Sequence, residues 1–113
     1  MKNYLFIGGA GFIGSSIITQ IAKCDGSPNI TVIEPPEADV ARLKGVNVRL
    51  VRGTISDTWL IEQLIVRHHV GTVVHLVSGI GNDGTDEDYQ RELRQVVQPT
   101  VELAKLCSER HVR

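Results

Sequence analysis

The sequence is poor in aromatic and sulfur-containing residues and contains no long apolar run. Of its 113 residues, 4% are aromatic and two are cysteines. No segment approaches the roughly 18 apolar residues that a membrane-spanning helix needs, and the first residues lead into a short strand-like run without a signal-peptide cleavage site. We therefore expect one cytoplasmic domain with no membrane partner, since this length leaves no room for two domains.

Neither sign of charge dominates the chain. Twelve Lys and Arg against 13 Asp and Glu give a formal net charge of -1. The basic residues are scattered, whereas a nucleic-acid-binding face needs clustered positive charge. Cys24 and Cys107 lie far apart in helix-like segments, so we expect small buried or half-buried side chains rather than a disulfide or metal ligands. The composition thus favours neither a nucleic-acid partner nor a metal site.

Short β-rich runs alternate with longer helical periods, which is typical of strand-helix-strand units around a parallel sheet. The predicted strands are Tyr4–Ile7, Ile30–Ile33, Val46–Val51 and Thr72–Val77. Helices are predicted where apolar residues recur at three- and four-residue steps. The sequence therefore predicts an α/β domain with a doubly wound parallel sheet of about four strands in the order 3-2-1-4.

Details of these elements are also predicted. Arg49 must reach water, so the third strand is expected near an edge of the sheet, while the continuous apolar fourth strand is expected to be buried on both faces. Pro99 should kink the last helix by clashing with the carbonyl of Gln95. His75, inside an apolar strand, is expected to be a hydrogen-bonded core or cofactor-adjacent group rather than a general base.

Two charged clusters are interpreted as helix ends. His68 and His69 close the second long helix, where imidazolium would meet the negative end of the helix dipole. The acids Asp83, Asp86, Glu87 and Asp88 lack the alternation of a calcium loop and suit the start of the last helix. Neither cluster is therefore predicted to bind a metal.

A glycine-rich turn directly follows the first strand and opens the first helix. It consists of Gly8, Gly9, Ala10, Gly11, Phe12, Ile13 and Gly14. Glycines here let a diphosphate approach the free amides at the helix start, where the dipole adds about 0.3 to 1 kcal/mol, and let helix and strand pack closely. A turn that only permits close packing is the alternative. The strand before, the helix after and an acid 20 positions beyond Gly14 favour a dinucleotide site.

That acid, Glu34, ends the second strand and bears on the choice of cofactor. A carboxylate can accept both ribose hydroxyls of NAD, whereas the additional phosphate of NADP would place like charges beside it. Arg42 and Lys44 of the following loop could still reach such a phosphate. We therefore expect NAD, with NADP less favoured, although a solvated acid at a strand end remains the alternative for Glu34.

These residues resemble the amino-terminal half of the extended short-chain dehydrogenase/reductases, the NAD-dependent nucleotide-sugar epimerase/dehydratase family. Besides the glycine turn, the similar segments are Val51–Asp57 after the third strand, Val74–Ser78 at the fourth strand and Val97–Leu103 in the last helix. The resemblance runs across the whole chain. It implies a Rossmann fold with NAD as cofactor, and a longer protein that acts on a nucleotide-sugar. It also implies that the cofactor is contacted by Thr54, Ile55, Leu76, Val77 and Ser78.

The catalytic half of that family has no counterpart here. The family uses a Tyr-x-x-x-Lys pair, but Tyr4 is followed four positions on by Gly8, and Tyr89 by Leu93. Thr54 also stands where the family has an adenine-binding aspartate. The chain is thus expected to be a partial NAD(P)-binding domain over residues 1–113, truncated before the family's fifth strand and without catalytic residues.

Three interpretations stay open at this point. The chain is the cofactor-binding part of an epimerase or dehydratase, a free-standing module that binds or senses the dinucleotide without turning it over, or a degenerate remnant that binds another protein. Without a fifth strand, the fourth strand would expose unpaired amides and carbonyls along an edge. We therefore also expect self-association through that edge.

Overall fold

Four parallel strands form one sheet in a computed structural model that describes residues 2–24, 26–77 and 84–113. The strands are β1 (Asn3–Ile7), β2 (Asn29–Glu34), β3 (Arg49–Arg52) and β4 (Thr72–His75). Their order across the sheet is β3-β2-β1-β4. The expected α/β class, parallel sheet and strand order are thus confirmed.

Helices connect the strands and cover the sheet. They are α1 (Phe12–Ala22), α2 (Thr58–Arg67), α3 (Asp86–Glu92) and α4 (Gln98–Glu109), with a 3-10 turn over Ala41–Leu43. A π-helical turn, Leu93–Val97, joins α3 to α4. None of the helices within the described ranges has both the length and the apolar character needed to cross a membrane.

Two apolar cores lie on opposite faces of the sheet because successive strand residues point to opposite sides. Leu5, Ile7 and Ile33 pack with residues of α2 and α4 on one face. Phe6 and Val32 pack on the other face with Ile18 of α1. Full burial of one such side chain is worth about 1.5–3 kcal/mol, so both layers are needed to hold the sheet.

The edge strands differ from the sequence prediction in length and burial. β3 starts at Arg49, three residues later than predicted, after the amide of Val48 donates to the carbonyl of Val46 at 2.9 Å. Its place at the sheet edge and the exposure of Arg49 are confirmed. The prediction that the fourth strand is buried on both faces is wrong: all four residues of β4 are only half-buried, since β4 is the other edge.

The last residue of the chain pairs with the start of β4 on its outer side. The amide of Arg113 donates to the carbonyl of Gly71 at 3.1 Å, and the amide of Val73 donates to the carbonyl of Arg113 at 2.6 Å. This reciprocal pair is the bonding pattern of a parallel bridge, with Arg113 opposite Thr72. A further strand at this edge therefore has its first pairing position occupied.

The proline of the last helix is accommodated by a change of helix type. The π-helical turn ends at Val97, and Pro99 is the second residue of α4. Proline cannot donate a hydrogen bond to a carbonyl in the preceding turn. The backbone accommodates this with a wider, π-helical turn before the proline, whereas we expected a simple kink of the helix.

Cys107 is half-buried as predicted, but Cys24 is exposed, so the expectation of burial is wrong there.

Candidate functional site

The chain turns sharply between β1 and α1, and Gly8 makes that turn possible. Its φ of 81° lies in the left-handed region, which residues other than glycine rarely adopt. A Cβ at Gly8 would lie 3.2 Å from the amide nitrogen of Val77, beyond β4. The first glycine is thus required by its conformation and by the close approach of a neighbouring strand end.

Gly9 and Gly14 are required by packing between the turn and the helix. A Cβ on Gly14 would stand 2.6 Å from the carbonyl oxygen and 2.7 Å from the Cα of Gly9. A Cβ on Gly9 would stand 2.7 Å from a methyl of Ile18. The backbone of α1 therefore touches the backbone of the turn, as predicted for the last glycine of the motif.

Gly11 has no such structural reason to be glycine. Its φ of -72° suits any residue, and among the described residues no atom would lie within 4 Å of a Cβ there. It is the N-cap of α1, where no described side chain caps the helix and the first turn carries no acid. The first amides of α1 and the positive end of its dipole therefore remain available to an anion in the open space before Gly11.

Substitution of these two glycines by alanine should separate packing from open space. Gly14→Ala is expected to lower the free energy of unfolding by about 1–3 kcal/mol or more, since the backbone clash outweighs the gain in helix propensity. Gly11→Ala should change stability by less than about 1 kcal/mol. Denaturant unfolding measures both, and equal effects of the two substitutions would contradict the assignment.

Glu34 is buried and joined to the glycine turn. The residue is only 6% exposed, and Oε1 of its side chain accepts a hydrogen bond from the amide of Ala10 at 2.6 Å. A solvated acid at the strand end, the alternative for Glu34, is therefore wrong. The carboxylate fixes the turn to the end of β2, and its second oxygen leaves further hydrogen-bonding capacity.

A cavity of about 870 Å³ lies at the carboxyl ends of the four strands. Seven of the residues expected at a cofactor site line it: Gly8, Gly11, Glu34, Thr54, Ile55, Leu76 and Val77. The other described ones do not line it: Gly9, Ala10 and Gly14 are buried, and Phe12 and Ile13 are exposed on α1. Ser78 falls outside the described residues. The volume suits a ligand larger than a single nucleotide base.

Thr54 and Ile55 form the part of this cavity after β3. The amide of Thr54 donates to Oδ2 of Asp57 at 2.8 Å, and its hydroxyl accepts from the amide of Ser56 at 3.2 Å. Thr54 is exposed and Ile55 is buried. The cavity lining after β3 thus combines an exposed hydroxyl with a buried aliphatic side chain, in a turn that Asp57 closes.

The opposite wall was missed by the sequence analysis. α3 and the π-helical turn contribute Asp88, Arg91, Glu92, Gln95 and Val96. Thr85 caps α3 by accepting from the amide of Asp88 at 3.1 Å, so the predicted helix start is confirmed for Asp86, Glu87 and Asp88. Asp83 lies outside the described residues. Asp88 is buried and forms an ion pair with Arg91. The spacing of these residues along one helix face was the signal, but their charges favoured a solvated helix start.

Charge is unevenly distributed around the cavity. Its described lining contains the acids Glu34 and Glu37 on one side and Asp88 and Glu92 on the other, against Arg91 as the one cation. Arg42 does not line it; its guanidinium lies 5.4 Å from the centre of the Phe12 ring. An anionic group in the cavity would therefore depend on backbone amides as well as on Arg91.

His75 ends β4 beside this cavity and is fully engaged in hydrogen bonds. Its Nδ1 accepts from the amide of Val77 at 3.2 Å, and its Nε2 lies 2.8 Å from the hydroxyl of Thr100. Burial lowers the pKa of His75 below its usual range. The expectation of a hydrogen-bonded group next to the cavity is confirmed.

The fold and the glycine turn place the chain among the Rossmann-type proteins. Residues 4–113 match the NAD dependent epimerase/dehydratase family. The chain belongs to this family, and the resemblance noted in the sequence is thereby confirmed.

Solved structures of this fold are similar over nearly the whole chain. The enzyme WbmG of Bordetella bronchiseptica in complex with NAD is 25% identical with a TM-score of 0.78, over 97% of this chain and 34% of that one. The dTDP-glucose 4,6-dehydratase of Bacillus anthracis in complex with NAD is 23% identical with a TM-score of 0.79, over 96% and 34%. The UDP-glucose 4-epimerase of Thermotoga maritima with UDP-glucose is 22% identical with a TM-score of 0.80, over 97% and 35%. The chain thus spans about a third of these proteins.

Proposed function

We propose that this chain is the NAD-binding amino-terminal domain of an oxidoreductase of the nucleotide-sugar epimerase/dehydratase type. The observation that carries the proposal is Gly11, an unstrained glycine with open space before it at the N-terminus of α1. Packing explains the other glycines of the motif, whereas close approach of a ligand explains this one. The structure of WbmG, which is 25% identical in sequence to this chain, was solved with NAD, and this supports the same cofactor here.

The described residues fit a dinucleotide laid along the carboxyl ends of the strands. The diphosphate would sit on the first amides of α1 at Phe12 and Ile13, and the free oxygen of Glu34 would accept a ribose hydroxyl. Thr54 and Ile55 would lie beside the adenine, and Leu76 and Val77 beside the nicotinamide. When bound, NAD supplies a hydride acceptor, while the protein binds and orients it.

The rest of such an enzyme would supply the catalytic groups and the substrate site. The UDP-glucose 4-epimerase of Thermotoga maritima was solved with UDP-glucose, and this chain matches 35% of it. We therefore propose a nucleotide-sugar substrate for the longer protein, in the cytoplasm, and no turnover by residues 1–113 alone. A non-catalytic binding module is the second possibility, and it predicts the same cofactor affinity.

Titration with NAD tests the proposal. The chain should bind NAD with saturable heat in a calorimeter, and Gly11→Ala should bind at least about tenfold more weakly because its Cβ occupies the space of the diphosphate. Gly71→Ala is the matched control, since Gly71 also has open space around it but does not line the cavity. A folded chain that gives no heat with NAD, or equal affinities for the two variants, would contradict the proposal.

NAD should be preferred over NADP. Glu34 and Glu37 line the same side of the cavity, and an additional phosphate there would meet two carboxylates without a lining cation beside them. We expect NADP to bind at least about tenfold more weakly than NAD, with the gap narrowing as salt screens the repulsion. Competition titrations at two salt concentrations measure this, and equal affinity for the two dinucleotides would contradict the expected preference.

Self-association through β4 is proposed as well. β4 has β1 as its single strand neighbour in the described sheet, and Arg113 covers only the beginning of its outer edge. A second copy could extend the sheet beyond Val73. Sedimentation at rising concentration should show a dimer. A monomer at every concentration would contradict this.

A further inference from the structure

A series of hydrogen bonds connects Val77 with Val96, two residues that line the cavity, and each donor in it can be assigned. Val77 donates its amide to Nδ1 of His75 at 3.2 Å, so Nδ1 carries no proton. The hydroxyl of Thr100 donates to the carbonyl of Val96 at 2.5 Å, so its oxygen accepts from Nε2 of His75 at 2.8 Å. The ring is therefore neutral with its proton on Nε2.

These hydrogen bonds join two walls of the cavity. Val77 follows β4, and Val96 belongs to the π-helical turn; both line the cavity. The peptide between Leu76 and Val77 also lies against Gly8, where a Cβ would stand 3.2 Å from the carbonyl carbon of Leu76. A displacement of Val77 would therefore reach the glycine turn that faces the diphosphate.

We infer that His75 is a positioning residue, which holds Val77 and Val96 in the geometry that binds the dinucleotide only while its ring is neutral. The inference rests on the proposed function for its ligand. Protonation of Nδ1 would turn its donor toward the amide of Val77, where two N–H groups would face each other. The wall formed by Leu76 and Val77 would then lose its hydrogen bond and its position.

The described hydrogen-bond partners of the His75 ring are uncharged. Ile7 of β1 lies opposite His75 in the strand register. On the helical side, its neighbours are the hydroxyl of Thr100 in α4 and, beyond it, the carbonyl of Val96 in the π-helical turn. The charged groups that share the cavity are Asp88, Arg91 and Glu92 of α3 and Glu34 and Glu37 across from them. Burial alone accounts for the lowered pKa, and no charged side chain contributes to it.

The sign of the pH dependence follows from that direction. His75 stays neutral in the folded chain below the pH at which a free histidine protonates, at about 6.5. Its positioning bond is therefore complete above that pH and is lost as the pH falls through the lower pKa of the folded chain. Affinity for NAD should be constant in the alkaline range and should fall in the acid range.

Two measurements on the full chain test the inference separately from the proposed function. Nitrogen NMR of the ring, without ligand and above neutral pH, should show an unprotonated Nδ1 and a protonated Nε2. The opposite tautomer would overturn the inference whether or not NAD binds. Because this measurement needs no ligand, its result tests the inference even if the chain does not bind NAD.

The second measurement is NAD affinity from about pH 8 to about pH 5. Affinity of the unaltered chain should fall about tenfold at the acid end. His75→Asn places an amide oxygen near the position of Nδ1, loses the bond to Thr100 and does not titrate. Its affinity at alkaline pH should therefore lie between those of the unaltered chain and of His75→Phe, and it should stay level on acidification. His75→Phe removes the acceptor and should bind weakly at every pH.

A control variant separates His75 from the other histidine with a shifted pKa. Burial, then Arg49, Arg67 and His69, lower the pKa of His68, so imidazolium is disfavoured at the end of α2 where we expected it. His68→Asn should leave the pH profile of NAD affinity unchanged. An acid loss of affinity that persists in His75→Asn, or disappears in His68→Asn, would overturn the inference.

Discussion

The backbone contact between Gly9 and Gly14 determines where the rest of the site can lie. The two residues approach so closely that a Cβ on Gly14 would stand 2.6 Å from the carbonyl oxygen of Gly9. Helix α1 therefore begins directly against the end of β1, with its positive end facing the carboxyl edge of the sheet. The buried carboxylate of Glu34 keeps the turn there by accepting from Ala10. Together these two features place the open N-terminus of α1 beside the cavity.

The glycines of one motif thus serve different physical purposes. Gly8 adopts a left-handed conformation, Gly9 and Gly14 allow contact, and Gly11 leaves space. A motif of spaced glycines is weak evidence for dinucleotide binding when any of these purposes could explain each position. The structure strengthens the argument because it removes packing and strain as reasons for Gly11. What remains is access to the amides at the helix start.

Much of this could be predicted from the sequence because it depends on local patterns. The strand order follows from alternating strands and helices, and the positions of Gly8, Gly11 and Glu34 follow from the motif and its spacing. The wall formed by α3 could not be predicted, since Asp88, Arg91 and Glu92 have the composition of a solvated helix start. The hydrogen bond of Glu34 to Ala10 was equally invisible, because it depends on how tightly the turn packs. Half-burial of β4 was missed because an apolar run has the same sequence at an edge as in the centre of a sheet.

The central claim is that the first amides of α1 bind a diphosphate. Amide NMR of the chain during addition of NAD tests it most directly, with calorimetry of the same sample to establish that binding occurs. The account predicts that the amide signals of Phe12 and Ile13 move more than those of α2, which lies away from the glycine turn. Binding of NAD with unchanged signals from Phe12 and Ile13 would contradict it.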